Sequence, residues 1–275
     1  MPALQLLVPG SIMSLPVIKR NGRPRVGLAL SGGVARIIAH VGVLSVLMRE
    51  PRLHIDVVAG TSAGSVVGAA YCAGLSLCEI EKMAEHAGWR TVASPALSRN
   101  GLLSFARLEH RMMCILGDLW FCDLPTPLAV MATDLETSDP VVLYEGRVAE
   151  AVRASCSVPG FVEPVHMNGR YLVDGGIADN LPAEVVRAMG ADYVIGVDIF
   201  APYWNRRLGP LGAGLMGMET LIRRAGGGLT HVDCLIAPKL NGASFVRFNQ
   251  AERLLALGRE AAEACLPQLR ADLGL

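Results

Sequence analysis

Short unbroken apolar runs alternate along this chain with longer stretches whose apolar residues return at helical spacing. The runs are Arg25–Leu30, Ile55–Ala59, Leu128–Ala132, Val141–Tyr144, Tyr171–Val173, Tyr193–Val197 and Cys234–Ala237. Each reads as a buried strand, because a strand covered on both faces needs no polar alternation. Helices are predicted at Ile37–Arg49, Ala63–Ala73, Leu77–Ala87, Phe105–Leu116, Val148–Ala154, Pro182–Met189, Leu215–Arg224 and Gln250–Leu273. Asn180, just ahead of Pro182, has the chemistry of a helix cap. The alternation predicts an α/β protein, a three-layer α/β/α sandwich with a mainly parallel central sheet.

Composition narrows the class without choosing the function. The 275 residues fit one large domain, 25–275, preceded by an N-terminal arm, 1–24. The start of the arm, Met1 to Ile18, is apolar but carries Pro2, Pro9 and Pro16 and no basic region, so a signal peptide is not expected. Apolar residues make up 52%, which suits a sheet buried on both faces. A formal charge of zero gives no footprint for nucleic acid. No apolar stretch reaches the ~18 residues of a spanning helix. Seven cysteines without Cys-x-x-Cys spacing read as buried thiols in a reducing compartment, and the six histidines show no metal spacing. Neither a metal nor a cofactor is expected.

Three glycine-marked turns carry candidate chemistry. Gly60-Thr61-Ser62-Ala63-Gly64 follows a predicted strand and opens a helix, which is the setting of a nucleophile elbow. There Gly60 and Gly64 allow a tight reversal, and the helix N-terminus faces any anion forming beside Ser62. Ser31-Gly32-Gly33-Val34-Ala35-Arg36 also joins a strand to a helix and aims several backbone N–H groups one way. It has neither the dinucleotide fingerprint nor P-loop spacing, so an oxyanion hole is the better reading. Asp174-Gly175-Gly176 closes a short strand, and functional groups gather at such ends. Taken alone, Asp174-Gly175 would be an ordinary turn.

Together these segments resemble the patatin-like phospholipase family. Supporting stretches are Ala132-Thr133-Asp134-Leu135-Glu136-Thr137, Ala151 to Ser155 with Ser157-Val158-Pro159-Gly160, and Asp179-Asn180-Leu181-Pro182. The resemblance runs from about Arg25 to Leu273. It implies a hydrolase that uses a Ser-Asp dyad and no histidine. Ser62 would be the nucleophile, Asp174 its base, and the backbone N–H groups of Gly32, Gly33 and Val34 the oxyanion donors. Arg36 itself reads two ways, as a contact for a substrate phosphate or as half of a structural ion pair. The substrate would be a phospholipid or lysophospholipid ester, the intermediate an acyl-enzyme, and the location the cytoplasm, with peripheral contact at the inner face of the membrane and the oligomeric state left open.

Two residues depart from the family pattern. Val34 and Ile37 stand where it usually has glycine. A β-branched residue forced to positive φ at position 34 would cost ~1–2 kcal/mol. That departure motivates an alternative, a non-catalytic lipid-binding or regulatory protein. A Ser-His-Asp hydrolase is a further alternative, and His231 is its only late histidine. Trp89 to Phe105 breaks the alternation and reads as a rim or lid over the site. Trp204 to Gly228 carries Arg206, Arg207, Arg223 and Arg224 around apolar residues. It reads either as a surface helix packing on the core or as an amphipathic contact to an anionic bilayer.

Overall fold

A computed structural model describes residues 23–96, 100–200, 209–240, 242–244 and 247–275. The arm through residue 22 and the pair Arg206 and Arg207 lie outside these residues. In chain order the elements are β1 (Val26–Leu30), α1 (Ile37–Leu47), β2 (Ile55–Thr61), α2 (Ala63–Cys72), α3 (Leu77–Glu85) and α4 (Trp89–Val92). Then come β3 (Ser94–Pro95), β4 (Leu103–Ser104), α5 (Ala106–Leu116), β5 (Leu128–Asp134), β6 (Pro140–Leu143) and α6 (Val148–Ser155). The chain continues with β7 (Val165–Met167), β8 (Arg170–Asp174), α7 (Ala183–Ala188), β9 (Tyr193–Val197), α8 (Gly209–Ile222), β10 (Cys234–Ile236) and α9 (Ala251–Leu273).

The hydrogen-bonded path through the main sheet is β10-β9-β1-β2-β5-β8-β7, with β6 also paired to β5. From β10 to β5 every pairing is parallel, whereas β6 and β8 run antiparallel to β5. The parallel strands are the continuous apolar runs, and β1 and β9 are buried at every residue. Successive side chains face opposite layers. Leu28, Leu30, Val58 and Val130 join a large core under α1, α2, α5 and α9. Ala29, Val57, Ala59 and Met131 join a smaller one under α7. The sandwich is therefore three-layered with unequal faces.

Helix α1 is buried at every position, which requires cover on both sides. The sheet covers one side and α9 the other. Their closest approach falls at Gly42 and Gly258. A side chain on Gly42 would press into the Leu255 carbonyl, and one on Gly258 into that of Ala39.

The register of β5 positions the site. Val130 and Met131 pair with both β2 and β6, so these strands occupy opposite edges of β5. Ala132 and Thr133 pair with both β6 and β8, so β8 shares the edge of β2. There β2 and β8 meet end to end. Thr61 lies opposite Met131 and Asp174 opposite Ala132, one residue further along. Two strands more than a hundred residues apart in sequence thus deliver their last residues to one spot.

Candidate functional site

Ser62 stands alone between β2 and α2, at φ 50° and ψ −118°. Positive φ is rare for a residue with a side chain and costs ~1–3 kcal/mol, so the surroundings must enforce it. They do so in three ways. The Ser62 N–H donates to Ser155 Oγ at 2.8 Å, and the Ser65 hydroxyl donates to the Ser62 carbonyl at 2.6 Å. A side chain at Gly60 would lie 2.6 Å from the Gly64 carbonyl oxygen, and one at Gly64 would press into the Leu30 carbonyl. Both glycines are therefore required by close backbone packing around the turn.

Asp174 ends β8. Its Oδ1 accepts the Gly176 N–H at 2.8 Å, and its own N–H donates to the Ser157 carbonyl at 2.9 Å. Burial pushes its carboxyl up to about 6, against the opposing pull of hydrogen bonding from the Ser62 side chain and the Gly176 amide. Cys156 sits beside Ser62, Ser65 and Asp174, and burial pushes its thiol far above the usual range, so it stays neutral. The end of α6 thus holds the backbone of both residues: Ser155 Oγ accepts the Ser62 N–H, the Ser157 carbonyl accepts the Asp174 N–H, and Cys156 lies between.

The glycine loop is stitched down from several sides. The Ser31 hydroxyl accepts the Ile199 N–H at 2.9 Å, and His40 Nε2 lies 2.8 Å from the Ser31 carbonyl. Burial lowers the His40 pKa to about 4, so the ring is neutral near pH 7 and Nε2 donates. The Gly32 N–H donates to Asn180 Oδ1 at 3.2 Å, which commits that amide. Asn180 therefore does not cap a helix as its sequence position suggested. Pro182 precedes α7 without a side-chain cap. Val34 takes φ 50°, the strained value that its β-branch disfavours.

Two expectations are corrected. Arg36 is fully buried, and its Nη2 donates to the Ala243 carbonyl at 2.7 Å. It does not line the cavity, so it offers nothing to a substrate phosphate; it ties the glycine loop to a later segment. His231 accepts Arg187 Nε at its carbonyl on the exposed end of a short turn, and among the described residues no histidine lines the cavity.

Ser62, Asp174, Gly32, Gly33, Val34 and Asn180 all open onto one cavity of about 600 Å³. Its walls are overwhelmingly apolar. Met83, Leu108, Met112 and Phe161 belong to the large core, whereas Phe200, Met218 and Ile222 form a small cluster with Val34. The segment read as a rim supplies Trp89, Val92, Leu103 and Phe105 to the wall. Besides Asp174, the charged residues on the lining are Arg111, Glu219 and Arg247. A hydroxyl, a carboxylate and backbone amides at the floor of a greasy cavity suit nucleophilic chemistry on an apolar substrate.

Residues 28–187, more than half of the chain, match the profile of the patatin-like phospholipase family. The chain belongs to that family. This patatin-like chain is 36% identical over 185 residues to an uncharacterized NTE family protein of Mycobacterium tuberculosis, across 66% of this chain and 51% of the relative. A second such protein from the same species is 32% identical over 281 residues, across 90% of this chain and 47% of the relative. A patatin-like phospholipase domain-containing protein of Caenorhabditis elegans is 32% identical over 207 residues, which is 72% of this chain and 15% of that protein. The patatin-like chain thus spans about half the length of the mycobacterial relatives. Among solved structures, VipD from Legionella pneumophila superposes with a TM-score of 0.58 at 14% identity, over 90% of this chain and 67% of that one. The type III effector protein ExoU gives 0.50 at 14% identity, over 89% and 53%. At that identity the likeness speaks for the fold alone. Asn180 and Ser155 stand in stretches that carried the family resemblance, but their contacts were not foreseen: Asn180 holds the glycine loop and Ser155 the elbow.

Proposed function

We propose that this chain is a serine lipid-acyl hydrolase of the phospholipase A or lysophospholipase type. Ser62 Oγ attacks the ester carbonyl and its proton passes to Asp174. The intermediate expels the alcohol, which takes up that proton, and water then hydrolyses the acyl-Ser62 ester with Asp174 again as base. A carboxylate is ordinarily too weak a base for a serine hydroxyl. Raised to about 6, Asp174 is better matched to work near neutral pH. With the Gly32 amide committed to Asn180, the oxyanion donors are the N–H groups of Gly33 and Val34. The positive φ at Val34 turns that amide with the loop, so in this reading the strain belongs to the working geometry.

The observation that carries the reading is the end-to-end meeting of β2 and β8 on β5, which sets a strained serine against a buried aspartate on the floor of an apolar cavity. Family membership supports a lipid substrate. No helix among the described residues is long and apolar enough to cross a membrane. Contact with lipid is therefore proposed as peripheral, through the exposed end of α8. The test is hydrolysis of nitrophenyl esters and lysophospholipids by wild type and Ser62→Ala, beside labelling with a fluorophosphonate. Wild type should label stoichiometrically at Ser62, and the variant should lose both labelling and at least ~10³-fold in turnover. A wild-type protein that binds lipid but neither labels nor turns over would favour the non-catalytic reading.

A further inference from the structure

Beside the main cavity lies a second, more open cleft of about 280 Å³ between α3 and α5. The two share Met83, Arg111 and Ile115 and are separated by those side chains. On the inner side the wall is apolar. On the outer side the lining includes Glu79, Lys82 and His86. Arg111 borders both spaces, as a long side chain does when its methylenes face an apolar space and its charged head faces water.

The depth of this partition follows from ion pairs. Glu109 on α5 pairs with Arg153 near the end of α6, and Asp118 just past α5 pairs with Arg147 just before α6. Residue numbers rise along one helix as they fall along the other, so the two are antiparallel. The end of α6 is the end that holds Ser62. Moving along α5 from Glu109 towards Ile115 therefore leads away from Ser62, by roughly 9 Å over six residues at 1.5 Å each. Leu108 stands near the level of the serine, Arg111 and Met112 about one turn deeper, and Ile115 a turn deeper again.

We propose that Met83, Arg111 and Ile115 form the closed end of the channel that takes the substrate's acyl chain, and that they set the longest chain it accepts. This assignment rests on the lipid-ester reading above. Met83 and Ile115 supply the apolar stop, and the Arg111 guanidinium makes extension past it unfavourable, because a terminal methyl group would have to displace a hydrated cation. Removing bulk or charge at the partition joins the channel to the outer cleft and admits longer chains. Adding bulk shortens the channel.

The test uses two readouts on the full chain. One is the affinity for saturated fatty acids of eight to eighteen carbons, by displacement of a fluorescent fatty-acid probe. The other is the relative rate on nitrophenyl esters of the same lengths. Met83→Trp and Ile115→Trp should lower the long-to-short ratio roughly tenfold in both readouts, since methylenes in an apolar pocket carry that order of discrimination. Ile115→Ala and Arg111→Ala should raise it. Met83→Leu, close in volume, should restore the wild-type profile and shows whether a Met83 effect is one of size. Because Ile115 is only partly buried, its variants serve where Met83→Trp misfolds. Ratios that stay at the wild-type value in folded variants would overturn the assignment. Shifted fatty-acid ratios in a protein that hydrolyses no ester would keep the stop and overturn the hydrolase reading.

Discussion

The carboxyl of Asp174 is where a single residue couples folding to the proposed chemistry. Its pKa is about 6 in the fold, raised by burial from the ordinary 3.8 of an aspartate. A raised carboxylate pKa means the fold prefers the protonated form. Asp174 thus weakens the folded state progressively as pH climbs from about 3.8 through about 6, and costs about 3 kcal/mol above that, at 1.36 kcal/mol per unit. Two outcomes are expected. Ester hydrolysis should fall on the acid side with an apparent pKa near 6, which a kcat/KM profile measures. Asp174→Asn should lose activity yet melt higher than wild type at pH 8, with the gap narrowing towards pH 4. Melting curves that keep the same gap at both pH values would remove burial as the cause. Not every residue's part was readable in the sequence. Ser62 and Asp174 were legible because glycine turns mark them. Arg36 stayed ambiguous because arginine is so seldom fully buried, and Asn180 was misleading because its partner, the Gly32 amide, is 148 residues away.

Among the elements, legibility followed burial. The parallel strands β1, β2, β5 and β9 announce themselves as continuous apolar runs since both faces are covered. Strand β7, only Val165–Met167 with an exposed His166 between two buried neighbours, is too short to register. The two-residue pair β3 and β4 and the single turn of α4 escaped for the same reason, and α4 and β4 supply part of the cavity wall. The packing of α9 on α1 was not legible either, because a glycine required by a close crossing looks like any other. Gly258→Ala should destabilise the fold by ~1–3 kcal/mol, the usual cost of forcing atoms into a packed interface. A thermal melt reads this as a drop of several degrees. A melt unchanged within error would show that α9 slides on α1 freely enough to absorb a methyl group.

At the scale of the whole molecule, a protein of zero formal charge has no long-range pull towards an anionic surface, so any attraction must be local. The end of α8 is the place to look. Ile222 is buried against the cavity, Leu221 next to it is 72% exposed, and Arg223 and Arg224 follow, both exposed. One turn thus joins the cavity wall to an apolar contact and two cations. A polybasic contact contributes roughly 1 kcal/mol per arginine at an anionic lipid surface and fades within a Debye length of ~8–10 Å at moderate salt. Reversing both charges, as Arg223→Glu with Arg224→Glu, should therefore weaken cosedimentation with phosphatidylserine-containing vesicles by well over tenfold at 0.1 M salt. Phosphatidylcholine vesicles should show a much smaller change. Wild-type binding should itself fall as salt rises to 0.5 M, and the ratio of activity on vesicle-borne substrate to activity on a dispersed short ester should fall with it. Equal loss on both vesicle types would mean that Leu221 and its apolar neighbours drive the contact. No loss on either would move the membrane-facing surface away from α8, and with it the direction from which a lipid reaches Ser62.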